Sequence, residues 1–325
     1  MKTIVIRTLG GKKIGYGHFY RCLSLAKGLN YLQEDIKIIF MINEELVELI
    51  KKFPFEYRTS NEIKNDFVAI QDLTLDLFIF DSYLGNNDYL KEIKKYSKLM
   101  LVDDNNDIYD SSLPDIIYNG NLYAEELGYA ENEHQLLLLG SSYLLMKEEY
   151  WFNKDEYLPK EGILVTTGGT DPYGIMINLL EAVKNINIKT TAVIGPGYTD
   201  DYIKQIESLK LENIDLIYKP TNLKKYIAKS KIVLTAGGST VYEILSQKSI
   251  PILFSMANNQ DLICLALKQL GVEYLGKHPH IEYNNLEFVL RETYDGCYKK
   301  ESLFKLVDGQ GSILVAKNIL NILTS

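Results

Sequence analysis

The feature that most constrains this chain is alternation. Short apolar runs take turns with longer stretches whose apolar residues recur every three or four positions. A run of the first kind reads as a buried strand and a stretch of the second as an amphipathic helix. In the first half the strand-like runs fall at residues 3–7, 36–42, 76–80, 98–102, 115–118 and 136–139, and the helical patterns at 16–32, 44–52 and 88–96. At residues 151–162 the sequence turns polar and proline-bearing, WFNKDEYLPKEG, and then the design repeats. Strands are expected at 163–167, 190–194, 215–218, 232–235, 251–254 and 272–275, with helices at 174–184, 201–209, 223–229 and 262–270. Such alternation predicts an α/β protein of two parallel, helix-covered sheets. The expected domains are 1–155 and 156–325, with a final helix near 311–323 crossing back. A single (β/α)8 barrel fits the mid-chain break and the uneven loops poorly.

Two Rossmann-like domains in series are expected to face a central cleft. Open α/β sheets bind ligands beyond the carboxyl ends of their strands, so the chemistry should follow the strands. Composition narrows the ligand. With 35 basic and 43 acidic residues the net charge is −8, which argues against a nucleic-acid partner. The longest nearly uncharged apolar stretch, 136–146, is about half a membrane span, so no membrane insertion and a cytoplasmic location are expected. Cys22, Cys264 and Cys297 lack metal-ligand or disulfide spacing and read as small buried hydrophobes.

After the first strand comes Ile14-Gly15-Tyr16-Gly17-His18, leading into a helix whose Phe19, Cys22, Leu23, Ala26 and Leu29 form one buried face. Gly15 and Gly17 allow a sharp turn and close approach of a ligand. His18 then falls in the first helical turn, where the helix dipole favours a neutral imidazole able to accept a proton from water. The structural alternative is a histidine that merely packs at the turn. Two glycine pairs follow second-domain strands: Thr167-Gly168-Gly169-Thr170-Asp171 and Ala236-Gly237-Gly238-Ser239-Thr240. Turns of this kind can aim backbone N–H groups and a helix dipole at a diphosphate. Glu243, one turn further on, could accept from ribose hydroxyls, and Asn258-Asn259-Gln260-Asp261 reads either as a helix cap or as amide recognition of a nucleotide. Asp81-Ser82-Tyr83 and Asp103-Asp104-Asn105-Asn106-Asp107 also end strands. As a calcium loop the second fails, because Ile108 and Pro114 occupy the glycine and glutamate positions, so no metal is expected. His134, His278 and His280 have no ligand-like spacing, and neither a P-loop nor a nucleophile elbow is present.

In order and spacing, IGYGHFYRCLSLA, FIFDSYLG, VTTGGTDP, LTAGGSTVYE and NNQ resemble the PseG family of UDP-sugar hydrolases and its spore-coat polysaccharide relatives, which are similar in turn to the glycosyltransferase MurG. The resemblance covers roughly residues 1–276. It implies a GT-B fold and cofactor-free, metal-independent, inverting hydrolysis of a UDP-linked 2,4-diacetamido-2,4,6-trideoxy sugar, on the way to pseudaminic acid or a surface polysaccharide. The family's essential histidine falls on His18 and its active-site tyrosine on Tyr83. Sugar contacts are implied for Gly15, Gly17, Asn119 and Asn121. The nucleotide site falls on Gly168, Gly169, Thr170, Gly237, Gly238, Ser239, Glu243, Asn259 and Gln260. One departure stands out: the family has an acidic residue two positions after the first strand's arginine, where this chain has Leu9. The competing readings are a GT-B glycosyltransferase using the same donor and a noncatalytic nucleotide-sugar binding protein; a 2-epimerase lacks its expected carboxylate and histidine set. The oligomeric state is left open.

Overall fold

The computed structural model describes residues 1–11, 14–33, 35–152, 159–296 and 301–324; Cys297 and residues 153–158 of the expected linker lie outside them. The chain divides into two compact units, Met1–Phe152 with Gly309–Ser325, and Asn153–Asp308.

The first unit is built on seven parallel strands: β1 (Lys2–Thr8), β2 (Ile36–Ile42), β3 (Glu56–Thr59), β4 (Leu77–Asp81), β5 (Lys98–Val102), β6 (Ile116–Asn119) and β7 (Leu136–Leu139). Their order is β3-β2-β1-β4-β5-β6-β7. Ile4, Val5 and Ile6 of β1 are all fully buried, because helices cover both faces and an alternating polar pattern has no solvent to meet. The helix Gly17–Leu32 covers one face through Phe19, Cys22, Leu25, Ala26 and Leu29. The chain leaves β1 toward β2 on one side and returns to β4 on the other, so the sheet reverses direction between β1 and β4, with Thr8 opposite Asp81. Open α/β sheets bind ligands beyond the strand ends at such a reversal of strand order.

The second unit repeats the plan with β8 (Ile163–Thr166), β9 (Thr190–Ile194), β10 (Ile214–Tyr218), β11 (Ile232–Ala236), β12 (Ile250–Ser255) and β13 (Glu273–Lys277), ordered β10-β9-β8-β11-β12-β13. Its reversal lies between β8 and β11, the two strands that run into the glycine pairs.

Two departures from the sequence pattern have physical reasons, and the final helix returns to the first unit. Strand β3, EYRT, lacks an apolar run because it is a half-exposed edge strand paired only to β2. The helix expected at 44–52 is a 3-10 turn, Glu44–Leu46, and a single helical turn, Val47–Ile50. The helix Gly311–Thr324, expected near 311–323 to cross back, is part of the first unit. Its Val315, Ala316, Ile319 and Leu323 complete the first unit's core. Gly28 permits this packing, since a Cβ there would meet the Ser312 carbonyl oxygen at 2.8 Å.

A buried ion pair sits inside the first unit. Arg7 of β1 is fully buried, and its Nε donates to Asp66 at 2.9 Å; Asp66 also accepts from Tyr89 at 2.7 Å and Ser60 at 2.5 Å. Leu9, where the resembling family carries an acid, is buried with the apolar core.

Candidate active site

The turn after β1 is pinned before the helix starts. Gly11 and Gly15 exchange backbone hydrogen bonds of 3.0 and 2.7 Å, and Gly15 takes φ +85°, a conformation glycine adopts without strain. Gly17 opens the helix, and a Cβ there would touch nothing in the protein. The next residue, His18, is turned toward the end of β4.

There Asp81 lies 2.7 Å from His18 Nδ1, with side-chain exposures of 1% and 15%. An ionised carboxylate only accepts, so Nδ1 carries the proton and donates to Asp81. The lone pair then resides on Nε2, the atom left to take a proton from a nucleophile. Arg21 also approaches Nδ1, its Nη2 at 3.0 Å, but with Nδ1 a donor this is a contact of cation against ring. Arg21 binds two carboxylates at once. Its Nε and Nη2 donate to Asp81 at 2.7 Å each, and Nη1 and Nη2 to Asp104 at 2.7 and 3.1 Å. Cys22 Sγ adds a 3.2 Å contact to Asp81.

Burial opposes charge on Asp81, but the Arg21 cation and the hydrogen bonds from Arg21 and His18 outweigh it and hold the carboxyl well below the usual range. Asp104 is lowered in the same way, burial being overcome by Arg21. Tyr83 donates to Asp104 at 2.6 Å and meets the His18 ring edge-on, centroids 5.1 Å apart. Burial and the Asp104 charge push its phenol up, so at neutral pH it is a donor.

Asn119, for which the resemblance implies a sugar contact, is fully buried and acts as a strut. Its Nδ2 donates to the Asp104 carbonyl at 3.1 Å and to Tyr129 at 2.9 Å, and its Oδ1 accepts from the Asn121 amide and side chain at 3.0 and 2.9 Å. Both amide hydrogens and both oxygen lone pairs are thus used within the protein. Asn121, half-buried, braces Asp104 at 3.4 Å. Asp103 accepts from the amides of Asp104, Asn105 and Asn106, so this acidic cluster is a turn folded onto its first carboxylate.

The second unit's glycine pairs differ in which of their amides are open. Of the four amides, three are committed: Gly168 to Thr166 Oγ1 at 3.1 Å, Gly237 to the Phe254 carbonyl at 2.9 Å and Gly238 to the Ala236 carbonyl at 2.8 Å. The helix after the first pair, Ile175–Val183, is capped from within, since the Asp171 carboxylate accepts from the Ile175 and Met176 amides at 2.9 and 2.7 Å. The amides still able to meet an anion are those of Gly169, Thr170, Ser239 and Thr240, which make no hydrogen bond to another described residue. The glycines differ in what requires them. A Cβ on Gly237 would collide with Cys264 Sγ, and Gly168 has φ +92°. Gly169 and Gly238 have neither reason, since a Cβ at either would touch nothing.

Glu243 lies half-buried on the helix Thr240–Ser246. The NNQ segment does not cap its helix: Gln260 Oε1 accepts from the Met256 amide at 2.8 Å, closing its own loop, and Asn258 takes Lys277 at 2.8 Å, with Asn259 exposed between them. His278 stacks on Tyr173 with centroids 4.2 Å apart. Arg21, inside the IGYGHFYRCLSLA segment but given no role by the sequence, joins His18 to both carboxylates. Its signal was present, because His18 and Arg21 are three apart and so share a helix face.

No family model matches the chain. Uncharacterized protein MJ1062 of Methanocaldococcus jannaschii is 25% identical over 336 residues, covering 97% of this chain and 67% of that protein. Among solved structures, MurG of Acinetobacter baumannii superposes with a TM-score of 0.73 at 12% identity, covering 98% of this chain and 99% of that one. The fold is GT-B. UGT89C1 of Arabidopsis thaliana, solved with UDP, gives 0.70 at 10% identity and 99% and 100% coverage. A putative UDP-N-acetylglucosamine 2-epimerase from Listeria monocytogenes gives 0.64 at 14%, with 100% and 96% coverage. No described helix is long and apolar enough to cross a membrane.

Proposed function

We propose that this chain is an enzyme acting on a UDP-linked sugar, in which His18 removes the proton from a hydroxyl attacking the anomeric carbon. The observation that carries the reading is the His18–Asp81 pair beyond the β1–β4 reversal, an oriented imidazole with Nε2 left as acceptor. In one step the attacking oxygen bonds to C1, the C1–O bond to the diphosphate breaks with its electron pair leaving on UDP, and the hydroxyl proton passes to Nε2. A single displacement inverts C1. The UDP oxyanion leaves readily, so no second carboxylic acid is required, unlike ordinary glycoside hydrolysis. The open amides of Gly169, Thr170, Ser239 and Thr240 are the donors offered to the diphosphate.

The identity of the hydroxyl separates two readings. The ordered motif set around IGYGH favours water, making the chain a hydrolase of a UDP-2,4-diacetamido-2,4,6-trideoxy sugar. Likeness to glycosyltransferase structures favours an acceptor hydroxyl. Leu9, apolar where the hydrolases carry an acid, adds weight to the second and to a changed sugar. The deciding experiment incubates the protein with UDP-linked amino sugars, with and without candidate acceptors, and follows UDP release and the anomeric product by NMR. Acceptor-independent release of free sugar selects hydrolysis. His18→Gln is expected to abolish release while UDP binding persists; undiminished release in that variant would remove His18 from the mechanism.

A further inference from the structure

A cation in contact with a general base is a liability, because it disfavours the proton the base must take up. Arg21 Nη2 stands 3.0 Å from His18 Nδ1. Left alone with Asp81, it would cancel the one charge that supports an imidazolium. The structure adds a second carboxylate: Asp104 grips the far side of the same guanidinium through Nη1 and Nη2, and the loop that carries it is braced by Tyr83, Asn119 and Asn121.

The charge count around the imidazole follows from its neighbours. Its own helix supplies Arg21 and Cys22, the β4 end Asp81 and Tyr83, and the β5 end Asp104 and Asp103. Cys22 and Tyr83 are pushed up, first by burial and then by the nearby carboxylates, and stay neutral. Asp103 has its oxygens occupied by loop amides and Tyr129. The hydrogen-bonded array against His18 is therefore Asp81, Arg21 and Asp104, with one uncancelled negative charge.

We propose that Asp104 is a positioning residue for the base: by neutralising Arg21 it frees the Asp81 charge to favour a proton on His18. This rests on the reading of His18 as base. Two functions are joined in one guanidinium. Arg21 fixes the Asp81 carboxylate that orients the ring, and Asp104 removes the electrostatic penalty of placing a cation there.

The test follows the His18 imidazole itself. The chain has four histidines, and the His18 signal in a proton–carbon NMR titration is the one that His18→Gln removes. In Asp104→Asn the His18 midpoint is expected to fall by about one pH unit, the size a nearby charge imposes. The acid limb of the UDP-release profile should move the same way. In Asp104→Asn with Arg21→Gln both opposing charges are gone, and the midpoint is expected to return toward wild type, which a merely structural role would not produce. Asp104→Ser replaces the amide variant if that one does not fold. An unmoved His18 midpoint overturns the proposal even if turnover falls. Failure of the base reading is distinct: it appears as undiminished turnover in His18→Gln and leaves the titration readable.

Discussion

Replacing Asp81 by asparagine tests the core of the site with almost no change of shape. Asp81 takes donors from His18 Nδ1, Arg21 Nε and Arg21 Nη2, each at 2.7 Å, and from Cys22 Sγ at 3.2 Å. An asparagine keeps one acceptor oxygen and turns the other into a donor, so His18 or the Arg21 Nε must face an N–H2 group. If the amide nitrogen faces the ring, the imidazole is driven to the opposite tautomer, with its proton on Nε2 where the lone pair is needed. A hydrogen bond to a charged group contributes about 1.5–3 kcal/mol, and each ~1.36 kcal/mol is tenfold in rate. Loss of this bond from the transition state should lower kcat/KM by roughly 10- to 100-fold. The loss should fall on kcat, since a side chain 1% exposed does not touch substrate. UDP release measured across substrate concentration, with thermal denaturation alongside, separates this from unfolding. An Asp81→Asn enzyme as fast as wild type at every pH would refute the reasoning.

The glycine pairs give a contrast within one motif. Gly169→Ala and Gly238→Ala should leave the melting temperature unchanged, since neither Cβ meets protein, but weaken UDP binding by calorimetry; Gly237→Ala should lower stability, since its Cβ meets Cys264. In the first unit's interior, Asp66→Ala strands a buried guanidinium whose Nη2 already lacks a partner. Breaking such a pair costs about 3–5 kcal/mol, and the urea midpoint should fall accordingly with the m-value unchanged.

Strands β2, β5 and β9 begin and end where their apolar runs do, because a parallel strand covered on both faces writes its burial directly into composition. Where burial is one-sided the writing fades, as at β3. His18 was legible for a local reason, being placed by a glycine turn and a helix start. Its pairing with Asp81 was not, although Asp81 itself stood out at a strand end. Asp81 lies 63 residues away, and the two meet only because β4 returns beside β1, a choice of strand order that no local pattern encodes. Asn119 was legible only through the resemblance, and an amide with two donors and an accepting oxygen serves as an internal brace that no local pattern distinguishes from a ligand contact.

The helix Gly311–Thr324 has a consequence for the order of synthesis. Gly309 lies so close to the Tyr150 carbonyl that a Cβ would not fit, so the chain leaves the first unit and re-enters it at adjoining points. The intervening unit is topologically an insert. Domains usually fold in the order they are made, N-terminal first. Here the inserted sheet is complete while the ribosome is still making the segment that covers Gly28 and its neighbours. The first unit, though begun first, must wait with one apolar flank bare until residues 311–324 emerge, and a chain cut at 308 would weaken the unit at the opposite end of the sequence.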